Sequence, residues 1–521
     1  PSVLKDLEAQ ACRLFEEQRI TFSGVRTLGT PRRLTLYVER LDQSQGDLVR
    51  EVVGPSRAVA FDQEGLPTKA ALGFAKAQAV SVEDLRVKTL DRGEYVVAVI
   101  VERGAHLEEM LPVILPRLIT SLSFPKSMRW GQGTFRFVRP IRWLVALYSG
   151  RVIPFEIDGV KSGNKTYGHR FLSRGQIRVR SFQDYIEKLE ERYVIVNQHR
   201  RRELVTKLAE EAAAKVGGKP VFDDELVEMV TYLVEYPTVV CGRFEQEYLL
   251  LPREVIMTPM RKQQRYFPVA DDAGKLLPYF VAISNMKAKD MEVIRAGNER
   301  VLRARLKDAA FFFKEDRRVQ LLERVPQLKG ITFQERLGTM LEKVGRLTEL
   351  TAYLTEQVAP HLVHDACRAA QLCKADLVTT MVKEFPSLQG VMGREYAQLS
   401  GEPAVVAQAI EEHYLPRFAG DRLPESLVGA LVGLADRLDT ICGCFGIGLI
   451  PSGSEDPYAL RRLAQGIVQI LLSTGIDLPL SQPISKSVEL FGDRLTLPRE
   501  RVAQEVMGFL AARLQAILME R

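Results

Sequence analysis

The hydrophobic period of this chain changes once, near residue 330, and no single fold class accommodates both halves. Upstream, RRLTLYVER sets Leu34, Leu36 and Val38 against Thr35, Tyr37 and Glu39, the alternation of a half-buried strand, and EYVVAVIVE at 94–102 reads the same way. Between them KAALGFAKA places Ala70, Phe74 and Ala75 on one helical face, just after Pro67-Thr68. Shorter strands are expected around 152–157, 238–241 and 279–283, each beside Gly or Pro. After Gly330, Thr332 with Glu335 reads as a capping box, and Phe333, Leu337, Met340, Leu341, Val344 and Leu347 recur at helical spacing. Helices continue through DACRAAQLCKADLVTTMVKEF, VAQAIEEHYLP, SLVGALVGLADRLDTI and DPYALRRLAQGIVQILL, the last with Asp456 as N-cap and Pro457 at the first position. The final RVAQEVMGFLAARLQAILMER keeps Val502, Val506, Phe509, Leu510 and Ile517 on one stripe. The pattern predicts an α+β region to about residue 320 and an all-helical region after it.

A chain of 521 residues is longer than one hydrophobic core serves, so about three or four domains are expected. Hydrophobic residues at 46% and charged residues at 26% give the balance of a soluble globular protein without low-complexity tracts. The longest apolar stretches, 427–435 and 441–450, are separated by Asp436, Arg437 and Asp439 and fall short of the roughly 18 residues of a bilayer span. No membrane segment is expected. The chain opens on Pro1 with no charged and apolar leader, which reads as a trimmed chain without a secretory signal. Six cysteines include no Cys-x-x-Cys pair, and the close pair Cys442 and Cys444 has no histidine nearby, so reduced thiols are expected rather than zinc.

The net charge of +6 is too small to identify a polyanion partner, but its distribution is uneven. FPKSMRWGQGTFRFVRPIRW, at 124–143, carries Lys126, Arg129, Arg136, Arg139 and Arg142 among Phe124, Trp130, Phe135, Phe137 and Trp143, with no acid and with both tryptophans of the chain. Guanidinium forks fit phosphate oxygens and aromatic faces stack on unpaired bases. The plainer reading is an amphipathic strand pair whose aromatics fill a core and whose arginines meet carboxylates or water. Further basic clusters lie at 199–202, at Arg261, Lys262 and Arg265, and along 295–307, where a solvated helix face explains them as well. There is no Walker loop, no Gly-x-Gly-x-x-Gly and no HIGH-type adenylate signature, and PKSM at 125–128 matches KMSKS too poorly to count.

Several longer stretches together resemble one family. PTKAALGFA, FPKSMRWG, FRFVRPIRWLVAL and KSGNKTYGHRFL in the first half are similar to glycyl-tRNA synthetase beta subunits. PREVIMTPMRKQQRYFPV, LKDAAFFFKED, FQERLGTMLEKV, MVKEFPSLQGVMGREYA and ADRLDTICGCFGIGLIPSGSEDPYALRR continue the likeness across essentially the whole chain. The resemblance implies a cytoplasmic assembly of two alpha and two beta subunits. In it alpha uses glycine, ATP and Mg2+, and beta binds and positions tRNA-Gly while holding no cofactor of its own. It also implies a multidomain fold: a 1–150 α+β region, a 151–325 α+β editing-like region, an all-α HD-like domain at 326–495 and the start of a helical linker at 496–521. The anticodon-binding module that follows in the family is not among these segments, so truncation at both ends is expected.

On this reading the tRNA-binding candidates are Lys126, Arg129, Trp130, Arg136, Arg139, Arg142, Lys161, His169, Arg170, Arg261, Lys262, Arg265, Arg461 and Arg462, the last two beside a helix N-terminus. His169 is expected to be a hydrogen-bonding group rather than a catalytic base. HD-type hydrolases hold a metal with His and Asp from several helices. ADRLD at 435–439 is similar to their last aspartate segment and His413 to a middle histidine, but Lys374 and Asp376 stand where a His-Asp pair is required. An ammonium does not ligate and repels a cation, so Lys374, Asp376, His413 and Asp436 are expected to form a degenerate HD-like set with no metal and no catalytic residue. His361, His364, Asp365 and Asp439 are the other candidates for such a site. Two alternatives stay open: a metal-dependent phosphohydrolase or deacylase, and an architectural subunit that docks alpha.

Overall fold

The computed structural model describes residues 2–90, 93–130, 133–453 and 455–519. Gly131 and Gln132, inside the basic-aromatic segment, lie outside the described residues. The chain divides into two compact units, one of residues 1–215, 222–240 and 282–291, the other of 216–221, 241–281 and 292–521.

The first unit is α+β. RRLTLYVER forms the strand Arg33–Leu41, paired antiparallel with Phe22–Thr30 from Phe22↔Leu41 to Thr30↔Arg33. Leu36 and Val38 lean on a core made by the helices Ser2–Glu17 and Leu107–Ser121 through Leu7, Leu14, Phe15, Leu111 and Ile114. Each such side chain, fully buried, contributes ~1.5–3 kcal/mol. Leu34, at the strand's end, is 39% exposed. Gly93–Glu102 is the central strand of a second antiparallel sheet, between Leu48–Ser56 and Arg86–Leu90, with Val96, Val97 and Ala98 buried. The helix Lys69–Ala77 starts where expected, the Thr68 hydroxyl accepting from the Ala70 N–H.

The strand expected at 152–157 is broken into Arg151–Val152 and Glu156–Ile157. Pro154 stands between them and has no N–H to give a ladder. Elsewhere in this unit Arg201, fully buried, replaces a carboxylate partner with carbonyls. Its guanidinium donates to Thr231 O at 2.8 Å, Ile195 O at 2.6 Å and Gly29 O at 2.6 Å, tying the helices Gln198–Ala214 and Asp224–Leu233 to the strand Phe22–Thr30. Burial lowers its pKa to about 10, so it still carries its charge at neutral pH.

The second unit carries antiparallel pairing at Lys219↔Ala270 and Phe267↔Val281, from a four-stranded sheet, and is predominantly helical. The capping box expected at Thr332 and Glu335 is displaced. Thr332–Gln334 is a short strand paired with Gly338–Thr339, and the box is built by Thr339 and Glu342 at the start of the helix Met340–Val358. Gly338, at φ 96°, makes the turn that a helix begun at residue 333 would have to absorb. The helical stretch expected over DACRAAQLCKADLVTTMVKEF comprises Val363–Leu372, a 3-10 turn Ala375–Val378 and Thr380–Glu384. The break follows from Thr379, which is extended and caps the next helix through its hydroxyl.

Leu427–Gly446 is the spine of this unit, buried over nearly its whole length. Leu347, Leu350, Ala369, Ile410, Ile467, Ile484 and Val502 join it in one core. The helix Arg499–Met519 is, among the described residues, long and apolar enough by length and composition to cross a membrane. The stripe Val502, Val506 and Leu510 is buried in the core, and Phe509 packs on Phe445 at 5.2 Å.

Candidate functional site

The described residues of the basic-aromatic segment, 124–130 and 133–143, form neither a continuous strand pair nor a helix. One antiparallel bridge, Met128↔Phe137, holds the segment together, with N–H to O distances of 2.8 and 3.1 Å. The aromatics pack on one another in half-buried positions: Phe124 on Phe137 at 4.6 Å, Trp130 on Phe135 and Phe135 on Phe137 both at 5.7 Å. Between them Lys126, Arg129, Arg136, Arg139 and Arg142 are all exposed. Arg136 donates to Ser127 Oγ at 3.2 Å and Arg139 to Pro31 O at 3.4 Å. Among the described residues, no carboxylate pairs with any of the five cations. The rings pack on one another as the plainer reading expects, and the exposed arginines face solvent, which that reading also allows.

Trp143 sits differently. Arg32 and Arg33 each lie 5.5 Å from its ring centroid and Tyr167 packs at 5.2 Å. Buried Arg33 pairs with buried Glu235, whose carboxylate also accepts from Thr30 Oγ at 2.8 Å and Arg32 at 3.4 Å. Sequence reasoning missed this knot, since about 200 residues separate the partners and no local pattern links them. His169 is 1% exposed, and its Nδ1 accepts from the N–H groups of Phe171 and Leu172, both at 3.3 Å. The ring thus folds its own loop, leaving exposed Arg170 with its guanidinium 5.6 Å from the ring of Phe171, itself 69% exposed. Lys161 is exposed on the strand Val160–Gly163.

The remaining candidates belong to the second unit. Arg261 and Arg265 are half-buried around the π-helical turn Pro259–Gln264, and Arg265, at φ 61°, donates to Arg261 O at 3.1 Å. Burial lowers the Arg261 pKa. Lys262 is exposed. Arg461 and Arg462 stand in the first turn of Leu460–Thr474, but the helix end beside them is filled. Asp456 Oδ1 accepts from the Leu460 N–H at 2.7 Å and its Oδ2 from the Arg461 N–H at 3.0 Å. The helix starts three residues later than Pro457 implied, and the seat for an outside anion is taken by the chain's own carboxylate.

The HD-like positions separate into two groups. Lys374 Nζ donates to His413 Nε2 at 2.9 Å and to Asp436 Oδ2 at 2.8 Å, and lies 4.1 Å from the Tyr414 ring centroid. His413 Nδ1–H donates to Ile410 O at 2.7 Å, which fixes the tautomer and presents Nε2 as a bare acceptor. Burial, and then the neighbouring Lys374 charge, hold the His413 pKa well below its usual value, so the ring is neutral. The other Asp436 oxygen binds Lys343 Nζ at 2.9 Å, and Lys343 reaches Asp439 Oδ2 at 2.9 Å, which Arg346 Nε shares through Oδ1 at 2.6 Å. Asp439, a candidate from the ADRLD segment, joins from the spine, and Lys343 and Arg346 enter from the helix Met340–Val358, at separations no motif reveals.

Asp376 stands apart. Its Oδ2 accepts from the N–H groups of Gly390 at 2.6 Å and Gly393 at 3.1 Å, and its backbone carbonyl accepts from Thr379 Oγ at 2.6 Å, so it anchors the turn into Val391–Leu399. Burial raises its pKa to about 6 against the hydrogen bonds that lower it. His364 is almost fully exposed beside Asp365 and does not reach the buried cluster. Among the described residues no group of three or more His, Cys, Asp or Glu side chains could hold a metal, and all six cysteines are free.

Comparison with known proteins places these features in a family. The family model described as glycyl-tRNA synthetase beta subunit matches residues 1–521. The chain is 50% identical to the glycine–tRNA ligase beta subunit of Moorella thermoacetica, covering 99% of this chain and 75% of that protein. It is 49% identical to that of Trichlorobacter lovleyi over 98% of this chain and 75% of the relative. With the subunit from Desulforudis audaxviator the identity is 49%, covering 100% of this chain and 76% of the relative.

Proposed function

The chain belongs to the glycyl-tRNA synthetase beta subunit family, and from that premise we propose that its residues 124–143 bind and position tRNA-Gly for aminoacylation carried out on the alpha subunit. The observation that carries this reading is the set of five exposed cations without acidic partners, mounted on rings that pack one another. Phosphate contacts from such cations fix register and orientation, and stacking on a partly exposed ring holds an unpaired base. Lys161, Arg170 and Phe171 extend the same chemistry, as do Lys262 and Arg462. Arg261, Arg265 and Arg461 are the weaker members, each half-buried.

Orientation is what such a subunit contributes to the reaction. Bringing the 3′ end of the RNA to a waiting adenylate converts a bimolecular encounter into a positioned one. Glycine, ATP and Mg2+ belong on alpha in this reading. Two alpha and two beta chains form the assembly in the cytoplasm, and the editing-like and HD-like regions act as scaffolds with no cofactor of their own. Nothing favours a metal hydrolase, because the Lys374 ammonium stands against the His413 and Asp436 atoms that would ligate.

The test is charging of tRNA-Gly with labelled glycine by this chain, by purified alpha and by the mixture. Charging in the mixture alone is expected. Charging by this chain alone, or a mixture no better than alpha, would overturn the reading.

A further inference from the structure

The polar cluster at the centre of the helical unit is arranged around cations. Lys374 Nζ is gripped by a histidine nitrogen at 2.9 Å, a carboxylate oxygen at 2.8 Å and an aromatic face at 4.1 Å. The histidine is prepared as a ligand is: its far nitrogen donates to a backbone carbonyl at 2.7 Å, which points the lone pair of Nε2 inward. A second ammonium repeats the pattern on the other side of the same carboxylate. Lys343 Nζ binds Asp436 Oδ1 and Asp439 Oδ2, both at 2.9 Å, and lies 4.4 Å from the Phe333 ring centroid. One carboxylate thus bridges two cations, each with a further anionic or imidazole donor and an aromatic lid. Lys343, Lys374, His413 and Asp439 are all buried, Asp439 on the spine Leu427–Gly446 itself and Lys343 on the helix Met340–Val358.

We propose that His413 Nε2 and Asp436 Oδ2 form a cation site occupied by the chain's own Lys374 ammonium, and that replacing this lysine with histidine converts it into a site for a divalent transition metal. The protein needs positive charge at this point to hold Asp436 and, through it, Lys343. It supplies that charge covalently, so the native cluster is independent of metal supply. Imidazole is shorter than the lysine side chain by roughly one metal–nitrogen bond, ~2 Å, so a metal bound by histidine at 374 falls near the present ammonium position. With His413 and Asp436 it then has two imidazoles and one carboxylate, a donor set that suits Zn2+ or Ni2+. The inference rests on this geometry alone and is independent of tRNA binding.

The experiment compares thermal melting and calorimetric Zn2+ binding of the metal-free 521-residue chain, wild type and variants. Lys374→Met, which keeps length and removes charge, is expected to lower Tm by about 10 °C, because it leaves buried His413 Nε2 and Asp436 Oδ2 without their donor. Lys374→His is expected to be similarly lowered without metal and to regain at least half of that with Zn2+, with stoichiometric binding in excess of wild type. Adding His413→Ala to Lys374→His is expected to abolish the excess. Should Lys374→Met fail to fold, Lys374→Met/Asp436→Asn, which removes both charges, is expected to fold and to melt closer to wild type. The proposal is overturned by a Lys374→Met chain as stable as wild type, by no Zn2+ binding of Lys374→His beyond wild type, or by a double variant that gains nothing over the single one.

Discussion

Lysines, arginines and aromatic rings make up both the 124–143 segment and the cluster around Asp436, and the two regions use them in opposite ways. In the segment the rings pack on each other while the cations stand exposed, with no carboxylate partner among the described residues. In the cluster the cations are buried and each is matched by carboxylate or imidazole acceptors, with rings closing over them. Composition therefore does not separate the two regions; the location of the acids does. A segment free of acids leaves its positive charge available to a polyanion, whereas an interior cation without its acid is not tolerated.

The contrast breaks most visibly on the buried side. Asp439→Ala strands Arg346 in the core and leaves Lys343 with Asp436 as its one carboxylate, and a loss of about 3–5 kcal/mol in unfolding free energy is expected by denaturant titration. A change below about 1 kcal/mol would mean that water reaches these groups. Asp376 gives a pH signature. Its pKa in the folded chain, about 6, lies above the usual carboxylate value, so protonation favours the folded state. That contribution is fully present below the unfolded carboxylate pKa and is lost as pH rises through about 6. Measured against Asp376→Asn, wild type should gain at most ~3 kcal/mol as pH falls from neutral toward 4. A difference flat with pH would contradict the burial of this carboxyl. Asp456→Ala removes the anion that fills the helix start beside Arg461 and should cost about 1 kcal/mol by thermal melting. Equal stability would show that end to be solvated.

The sequence conveyed the division between a mixed and a helical region because hydrophobic period survives tertiary context. The helix just after Pro67-Thr68, the strand at Arg33–Leu41 and the stripe of the last helix followed from the same local rules. The displaced capping box shows their limit. Thr332 with Glu335 and Thr339 with Glu342 carry the same pattern seven residues apart, which is two helical turns, so the apolar residues keep phase with either start. Only the hairpin through Gly338 decides between them. The cluster was legible in part: Lys374, His413, Asp436 and Asp439 could be associated by resemblance, but Lys343 and Arg346 join through helix packing that spacing does not encode. Asp376, adjacent in sequence, turns instead to Gly390 and Gly393. For 124–143 the sequence offered two readings, and exposed arginines beside mutually packed rings are compatible with both.

The central claim is that the exposed cations, not the buried ones, meet RNA. It is tested most directly by the salt dependence of tRNA-Gly binding to wild type and to Arg129→Ala/Arg136→Ala/Arg142→Ala, with unchanged melting as the control. The account predicts weaker binding and a log–log salt slope reduced by about one for each phosphate that the variant no longer neutralises. An unchanged slope and affinity in a folded triple variant would contradict it.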